Sequence, residues 1–333
     1  MKDKTPVTVV IPTYNRCNDL KRCLDSLMQQ TYKDFEILVI DNKSTDDTQN
    51  LLKNYPVKVL RNGTKNVMHL FNLGWQKSQS EIIVYTNDDT KAEPFWIESI
   101  VKTFQECEEA GAVGGPTMPP KDMMNNLEML SLHEKAKHSK LLKIPVFIYE
   151  KIILENKYYD IGVLCESGAF SVGGALIEST KIDHIIEVDF LTITNLGIKR
   201  SVLKKLGGID ENFRFNHGDG DLFIRMKKAG YKLLFNPKVI VWHYVNPQGP
   251  VRGAYWRGRD YAYFYLKSIR PNIKSMSSLF RFLLNIIYFN VYWIFKLIQE
   301  KKLEYLYGIT GFIQGCWQYR KTKIKEGEEE YAK

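Results

Sequence analysis

Residues 81–90, Glu-Ile-Ile-Val-Tyr-Thr-Asn-Asp-Asp-Thr, decide the fold. The apolar run 82–84 predicts a short buried strand, which leads directly into the polar residues 87–89. Because adjacent carboxylates cannot lie unpaired in an apolar core, we expect them at the carboxyl end of this strand. Ligands bind at that edge of open α/β sheets, and paired carboxylates suit a hard divalent cation. A solvated turn before a helix that begins near Pro94 is the simpler alternative.

Strand and helix patterns alternate along the first third of the chain. Apolar, β-branched runs predict strands at 7–11, 35–40 and 57–60. The apolar residues of 20–28 and 67–79 fall at helical spacing. Such alternation is typical of an α/β fold with a mostly parallel central sheet and helices on both faces. Further strands are expected at 112–115, 190–194 and 239–242.

The composition is that of a globular protein with an uneven charge. The chain has 333 residues, of which 44% are hydrophobic and 26% are charged. The formal net charge is +9, and residues 244–333 hold 15 Lys and Arg against 7 Asp and Glu. This C-terminal charge favours an anionic membrane surface or acidic acceptors as partners and argues against general nucleic-acid binding.

The cysteines and the N-terminus indicate a cytoplasmic protein. Five scattered cysteines with no Cys-x-x-Cys pair favour free thiols in a reducing compartment over a disulfide framework or a zinc site. The apolar run before Pro12 is too short for a signal peptide.

A hydrophobic window at 279–298 precedes Lys301 and Lys302. Its uncharged part, 282–295, has fourteen residues, whereas a spanning helix needs about twenty. Polar residues at steps of three and four draw one stripe along it: Arg281, Asn285, Tyr288, Tyr292, Lys296 and Gln299. We therefore predict an amphipathic helix that lies in the plane of a membrane surface. A helix packed on the rest of the protein or in a homodimer interface is the alternative.

Two acids lie at the start of another predicted helix. Asp219 and Asp221 lie in Gly-Asp-Gly-Asp (218–221), and His243 follows the predicted strand 239–242. Taken singly, these residues are ordinary helix caps and a strand end. The irregular stretch 118–159 is either a lid over a site or two helices.

In their order along the chain, these segments resemble the family 2 glycosyltransferases, which have a GT-A fold. Val-Val-Ile-Pro-Thr-Tyr-Asn-Arg (9–16) and Asp-Asn-Lys-Ser-Thr-Asp-Asp-Thr (41–48) are similar to the two nucleotide-binding segments of that family. Asn-Asp-Asp (87–89) holds the position of its DxD motif. Ser-Val-Leu-Lys-Lys-Leu-Gly-Gly-Ile-Asp-Glu-Asn-Phe (201–213) is similar to the approach to its catalytic base. The resemblance extends from residue 7 to about residue 243.

The resemblance implies an inverting, hexosyl-type glycosyltransferase that moves a sugar from a nucleotide-diphosphate sugar to an acceptor hydroxyl. Asp219 would be the general base, and Asp89 with His243 would hold Mg²⁺ or Mn²⁺ on the diphosphate. Asp41 would accept a hydrogen bond from the nucleobase. The residues implied in holding the nucleotide are Pro12, Thr13, Asn15, Arg16, Asp41, Ser44, Asn62 and Asp88.

Two positions depart from the family pattern. Asn87 replaces the first acid of DxD, and Gly218 replaces the acid that usually precedes the base, with Asp221 as a rival base. These departures leave open a non-catalytic glycan-binding or scaffold protein on a decayed transferase fold. A sugar nucleotidyltransferase is a further alternative, although the loop 12–16 lacks the glycines of its phosphate loop.

The sequence predicts three parts: a catalytic domain at 1–245, a basic helical region at 246–325 that binds a membrane or a second copy, and a disordered tail at 326–333. The expected partners are a nucleotide-diphosphate sugar donor, a glycan or polyprenyl-linked acceptor, and a membrane surface through 279–298. A homodimer is left open, and no nucleic-acid partner is expected. We expect the protein at the inner face of the cell membrane, peripherally bound.

Overall fold

The computed structural model describes residues 6–64, 66–126, 140–244 and 253–331. Its strands are β1 (Val7–Thr13), β2 (Phe35–Asp41), β3 (Lys58–Arg61), β4 (Ile82–Thr86), β5 (Thr90–Ala92), β6 (Ala110–Gly114), β7 (Thr117–Met118), β8 (Ile186–Glu187), β9 (Asn195–Lys199), β10 (Lys232–Phe235) and β11 (Val241–His243). Its α-helices are α1 (Cys17–Met28), α2 (Thr48–Leu52), α3 (Val67–Lys77), α4 (Trp96–Glu106), α5 (Lys140–Phe147), α6 (Arg200–Leu206), α7 (Gly218–Lys228), α8 (Ala254–Phe264), α9 (Met276–Glu300) and α10 (Leu306–Tyr331).

The central sheet has the strand order β3-β2-β1-β4-β9-β6-β10-β8. The parallel pairings are β1 with β2, β1 with β4, β2 with β3, and β6 with β10. Strand β9 runs antiparallel to both of its neighbours, and β8 is antiparallel at the edge. Four of the seven pairings are therefore parallel, which confirms the mostly parallel α/β fold predicted from the sequence.

Helices cover both faces of this sheet. In β1, Val9 and Ile11 pack in a cluster with residues of α1 and α4, such as Trp96, whereas Val10 packs in a second cluster with residues of α3, such as Phe71. Successive strand residues point to opposite faces, so a strand covered on both sides needs an unbroken apolar run. That requirement explains why the sequence of β1 shows no alternation.

The strand expected at 190–194 was wrong, because the strand begins at Asn195. The Asn195 amide is completely buried, donates to the carbonyl oxygens of Pro116 and Val239, and accepts from the indole N–H of Trp96 at 2.7 Å. These buried hydrogen bonds override the poor strand propensity of asparagine. The apolar residues before it form a loop instead.

The strand expected at 239–242 belongs to a second, small sheet. That strand is β11, and it pairs antiparallel with β5 and parallel with β7. Because β5 directly follows the acids at 87–89, this small sheet brings His243 to the same place as those acids.

The C-terminal region is helical. Helix α9 confirms the helix predicted at 279–298, and within the described residues it alone is long and apolar enough to cross a membrane by length and composition. Helix α10 continues to Tyr331. The disordered tail expected at 326–333 stays a prediction, and its last two residues lie outside the described part of the chain.

Candidate active site

A cavity of about 890 Å³ opens at the carboxyl ends of β1, β2, β3 and β4. Strand β9 is antiparallel to β4 and pairs Asn195 with Thr86, so the loop 192–194 also reaches this edge and lines the cavity. The predicted site residues on the wall are Pro12, Thr13, Arg16, Asp88, Asp89, Asp219 and His243. The expectation that the acids at 87–89 lie at the strand end is confirmed.

Asp88 and Asp89 form a buried carboxylate pair beside one arginine. The Nη1 atom of Arg16 lies 3.2 Å from Asp88 Oδ1 and 2.6 Å from Asp89 Oδ2, and the hydroxyl of Thr13 donates to Asp88 Oδ2. Burial raises the pKa of Asp88 to about 7, against the opposing effect of Arg16. Burial would also raise the pKa of Asp89, but His243 and Arg16 beside it lower that pKa below its ordinary value. Asp89 is therefore the carboxylate that stays charged at neutral pH.

Asp89 and His243 fit a divalent cation. The Nε2 atom of His243 lies 3.2 Å from Asp89 Oδ1, a buried oxygen that accepts no hydrogen bond from any residue the structure describes. Carboxylate and imidazole are ligands that Mn²⁺ and Mg²⁺ accept. In the described part of the chain no three His, Cys, Asp or Glu side chains converge on one metal position. Further ligands would therefore come from a bound phosphate and water.

Asp219 lies in the first turn of α7 and faces the cavity. Its Oδ2 atom accepts from the backbone N–H of Ile193 at 3.3 Å, and its Oδ1 atom accepts from that of Gly220 at 2.9 Å. Burial raises the pKa of Asp219, and the two backbone donors only partly offset this effect. A carboxylate with a raised pKa on a cavity wall is suited to general-base chemistry.

The rival acid Asp221 does not line the cavity. Its side chain is buried, where Arg225 Nε lies 2.8 Å from Oδ2 and Ser268 donates to Oδ1. Lys267 adds an ion pair to Oδ1 at 2.9 Å. Both oxygens are occupied by partners inside the protein, so the geometry favours Asp219 over Asp221.

Asp41, for which the resemblance implies a nucleobase contact, does not line the cavity. Its carboxylate is fully buried and accepts hydrogen bonds from the backbone N–H of Ser44 at 2.9 Å and from the Gln49 amide at 2.5 Å. Arg61 Nε lies 3.3 Å from the same oxygen as Gln49. With both oxygens occupied, Asp41 fixes the turn after β2.

Asn15, Ser44 and Asn62 likewise hold loops in place and do not line the cavity. The Asn15 side-chain oxygen accepts from the backbone N–H of Thr45, and the backbone N–H of Asn15 donates to Ser44 Oγ. The Asn62 side chain accepts from the backbone N–H of Thr64, which does line the cavity. Their contribution is to fix the loops that carry the wall residues.

Other wall residues were not predicted as site residues from the sequence, among them Tyr14, Lys43, Thr64, His217 and Arg257. Tyr14 lies inside the segment 9–16, which was the available signal in the sequence, and its side chain is 55% exposed. Arg257 lies in the basic, aromatic run Tyr-Trp-Arg-Gly-Arg (255–259), which gives no local sign of this cavity. His217 has the left-handed φ of 61°, and burial together with the charge of Arg257 lowers its pKa to about 4, so it is neutral at physiological pH.

Residues 8–167 match the family model described as Glycosyl transferase family 2. The matched segment contains β1 to β7 and the acids Asp88 and Asp89, and it ends before Asp219.

Curated relatives share about a quarter of their residues with this chain. Glycosyltransferase GlyA of Streptococcus pneumoniae is 25% identical over 186 residues, which cover 49% of this chain and 27% of that protein. Glucosyl-dolichyl phosphate glucuronosyltransferase of Haloferax volcanii is 24% identical over 213 residues, which cover 62% of this chain and 56% of that protein. The chain thus spans between a quarter and somewhat over half of the length of these relatives.

The fold is similar to that of solved glycosyltransferases. The mannosyltransferase PcManGT from Pyrobaculum calidifontis, solved in complex with GDP-Man and Mn²⁺, aligns with a TM-score of 0.57 over 95% of this chain and 88% of that one, at 16% identity. At this identity the likeness shows the fold alone. The segment 8–167 thus matches the model of glycosyl transferase family 2, and the fold of the chain is GT-A.

Proposed function

We propose that this protein transfers a hexosyl group from a nucleotide-diphosphate sugar to a hydroxyl of an acceptor, with inversion at the anomeric carbon. The observation that carries this proposal is that one cavity brings together Asp89 and His243, two side chains that could hold a cation, and Asp219, a carboxylate of raised pKa. The cavity lies at the carboxyl ends of the parallel strands, where ligands of α/β sheets bind.

The donor would lie along the loops after β1, β2 and β3. Tyr14 offers an exposed ring for the nucleobase, and Arg16 and Lys43 bring positive charge to the diphosphate. A Mn²⁺ or Mg²⁺ ion held by Asp89 and His243 would, when bound, neutralise charge on the leaving diphosphate. The solved mannosyltransferase with GDP-Man and Mn²⁺ is consistent with such a donor and metal.

Asp219 would accept the proton of the acceptor hydroxyl. The hydroxyl oxygen then forms a bond to the anomeric carbon as the bond from that carbon to the diphosphate oxygen breaks on the opposite face. Attack from the opposite face inverts the configuration. Because the base must be deprotonated, the raised pKa of Asp219 brings it closer to working pH and makes it a stronger proton acceptor.

We further propose that the acceptor is a lipid-linked or cell-surface glycan and that the protein works at a membrane surface. Helix α9 turns its polar stripe toward the protein: Arg281 pairs with Glu155 and Glu166 at 2.8 and 2.9 Å, and Asn285 donates to Tyr265 Oη at 2.6 Å. These contacts fix α9 along the protein, which favours a helix lying on a bilayer over one crossing it.

The outward face of α9 is apolar. Its exposed side chains recur at steps of three and four: Met276, Phe280, Leu283, Ile287, Val291, Ile294 and Ile298. At 1.5 Å per residue this row is about 33 Å long. Exposed Lys274, Lys301 and Lys302 flank it, and such like-charged ends repel a second copy but attract an anionic lipid surface. The name of the Haloferax volcanii relative, which includes a dolichyl phosphate, is consistent with a lipid-linked acceptor.

The catalytic proposal is tested by incubating the protein with UDP-, GDP- and dTDP-sugars and Mn²⁺ and following the released sugar or glycoside by NMR. We expect one donor to be turned over, with the first product anomer opposite to that of the donor. Turnover with retained configuration would contradict the inverting mechanism, and turnover of no donor, also in the presence of membrane lipids, would contradict the transferase proposal.

The membrane proposal is tested by flotation with anionic phosphatidylglycerol vesicles. We expect the wild-type protein to float with the vesicles and Ile287→Glu to float much less, because a charge on the apolar face opposes insertion. Gln299→Glu adds the same charge to the same helix off the apolar row and serves as the control. Wild-type protein that stays with the soluble fraction as a dimer would instead make this face a homodimer interface.

A further inference from the structure

Side-chain packing supports one end of the segment that leads to Asp219, where the His217 ring packs against Tyr261 and Phe264. Residues 214–217 form no regular secondary structure, and the side chains of Arg214 and Phe215 are exposed, so packing does not fix them. The segment ends in the left-handed His217, directly before α7 begins. A left-handed residue other than glycine persists only where its surroundings hold it.

One carboxylate in α8 binds three backbone amides of this segment, and the Val67 N–H also donates to the carbonyl oxygen of Arg214 at 3.3 Å. The Oδ2 atom of Asp260 accepts three successive backbone N–H groups, those of Arg214 at 3.0 Å, Phe215 at 2.7 Å and Asn216 at 3.1 Å. Asp260 is completely buried. Three consecutive amides that converge on one anionic oxygen make a strong, directional anchor for the backbone.

Arg259 completes the anchor. Its Nη1 atom donates to Asp260 Oδ1 at 2.7 Å and to the carbonyl oxygen of Asn212 at 2.6 Å. The arginine thus balances the charge of Asp260 and ties the residue that lies just upstream of the anchored amides. Helix α10 supports α8 from behind, since a Cβ atom on Gly311 would clash with the carbonyl oxygen of Tyr255.

We propose that Asp260 is a positioning residue that fixes segment 214–216 and thereby holds Asp219 where it can accept the proton of the acceptor hydroxyl. This inference rests on the proposed role of Asp219 as the base. Helix α8 lies in the region 246–325, which was predicted to be separate from the catalytic domain. The proposed role of Asp260 makes this helix part of the catalytic machinery. The proposed donor contacts lie on the loops after β1, β2 and β3, so we expect Asp260 to affect turnover and not donor affinity.

The test compares Asp260→Asn and Asp260→Ala with the wild-type protein in three measurements: amide hydrogen exchange, donor affinity and turnover. We expect faster exchange at the 214–216 amides, unchanged donor affinity, and kcat lower by about ten- to a hundredfold, because a small misplacement of the base is costly. Asp260→Asn keeps an acceptor oxygen and is isosteric, so its loss is expected to be smaller than that of Asp260→Ala. It also remains informative if Asp260→Ala does not fold.

Glu36→Gln is the matched control, since Glu36 accepts from Thr8 and pairs with Lys58 near the opposite edge of the sheet. Unchanged kcat in Asp260→Asn despite faster exchange would overturn the inference, as would a parallel loss of donor affinity and stability, which indicates a merely structural role. If the wild type turns over a donor and Asp219→Asn is inactive while Asp260→Asn is active, the inference alone fails. If the wild type turns over no donor, the proposed function and this inference fail together.

Discussion

Replacing Asp219 with asparagine removes the proposed base with little change of shape. Each carboxylate oxygen of Asp219 accepts one backbone N–H, from Ile193 at 3.3 Å and from Gly220 at 2.9 Å. The asparagine oxygen can keep one of these bonds, so the loss of stability is limited to about 1 kcal/mol. The amide cannot accept the proton of the acceptor hydroxyl, and loss of a general base typically costs about 10²- to 10⁴-fold in rate. That loss corresponds to about 3 to 5 kcal/mol of transition-state stabilisation.

The assay follows release of the nucleoside diphosphate under saturating donor, with donor affinity measured separately by calorimetry. We expect Asp219→Asn to bind the donor as the wild type does and to turn it over at least about a hundredfold more slowly. Asp221→Asn is the control, because Asp221 points away from the cavity into Arg225 and Ser268; it is expected to lower the melting temperature and to keep most of the activity. An Asp219→Asn variant of near wild-type turnover would refute the assignment.

Three further results are expected. His243→Ala removes one of the two side chains of the cation site, so calorimetry is expected to show Mn²⁺-dependent donor binding weaker by about tenfold or more, and unchanged binding would contradict the site. Burial raises the pKa of Asp219, so this base is protonated at a higher pH than an ordinary aspartate. As the pH is lowered, the turnover rate is therefore expected to fall before the ordinary aspartate pKa is reached. A turnover rate that stays unchanged down to pH 4 would contradict this. Gly311→Ala forces a Cβ against Tyr255, so α8 and α10 must separate; thermal unfolding is expected to show a loss of about 1 to 3 kcal/mol together with reduced kcat, and full stability would contradict the close helix contact.

The strand-end acids could be predicted because their sequence signal is local. An apolar run that ends abruptly in Asp88 and Asp89 can be buried only if those acids emerge at the sheet edge, and the structure places them there. His243 was predicted from the resemblance, and its route to the site through a second sheet was not visible in the sequence.

The roles of Asp41 and of the loop before Asn195 could not be predicted because they depend on tertiary partners. The carboxylate oxygens of Asp41 accept hydrogen bonds from Gln49 and Ser44, whose positions follow from the fold of the loop after β2. The residues before Asn195 have the composition of a strand but serve as the cavity wall, because the strand is fixed by buried bonds of Asn195 to distant segments.

The orientation of α9 could not be predicted from the sequence either. The polar stripe predicted an amphipathic helix, but periodicity cannot tell which face meets the protein. The partners of Arg281, Glu155 and Glu166, lie more than a hundred residues earlier in the chain, and they turn the polar side inward. The anchoring role of Asp260 was missed for the same reason, since an acid in a basic, aromatic run gives no local sign of the amides that it binds.

The proposed function depends on metal-dependent binding of a nucleotide sugar at Asp89 and His243. The most direct measurement is titration calorimetry of the protein with UDP-, GDP- and dTDP-sugars, with and without Mn²⁺, repeated with Asp89→Ala. We predict that one donor binds in the presence of Mn²⁺, binds much more weakly without it, and does not bind to the variant. Binding of no donor in either condition, or equal binding by Asp89→Ala, would contradict it.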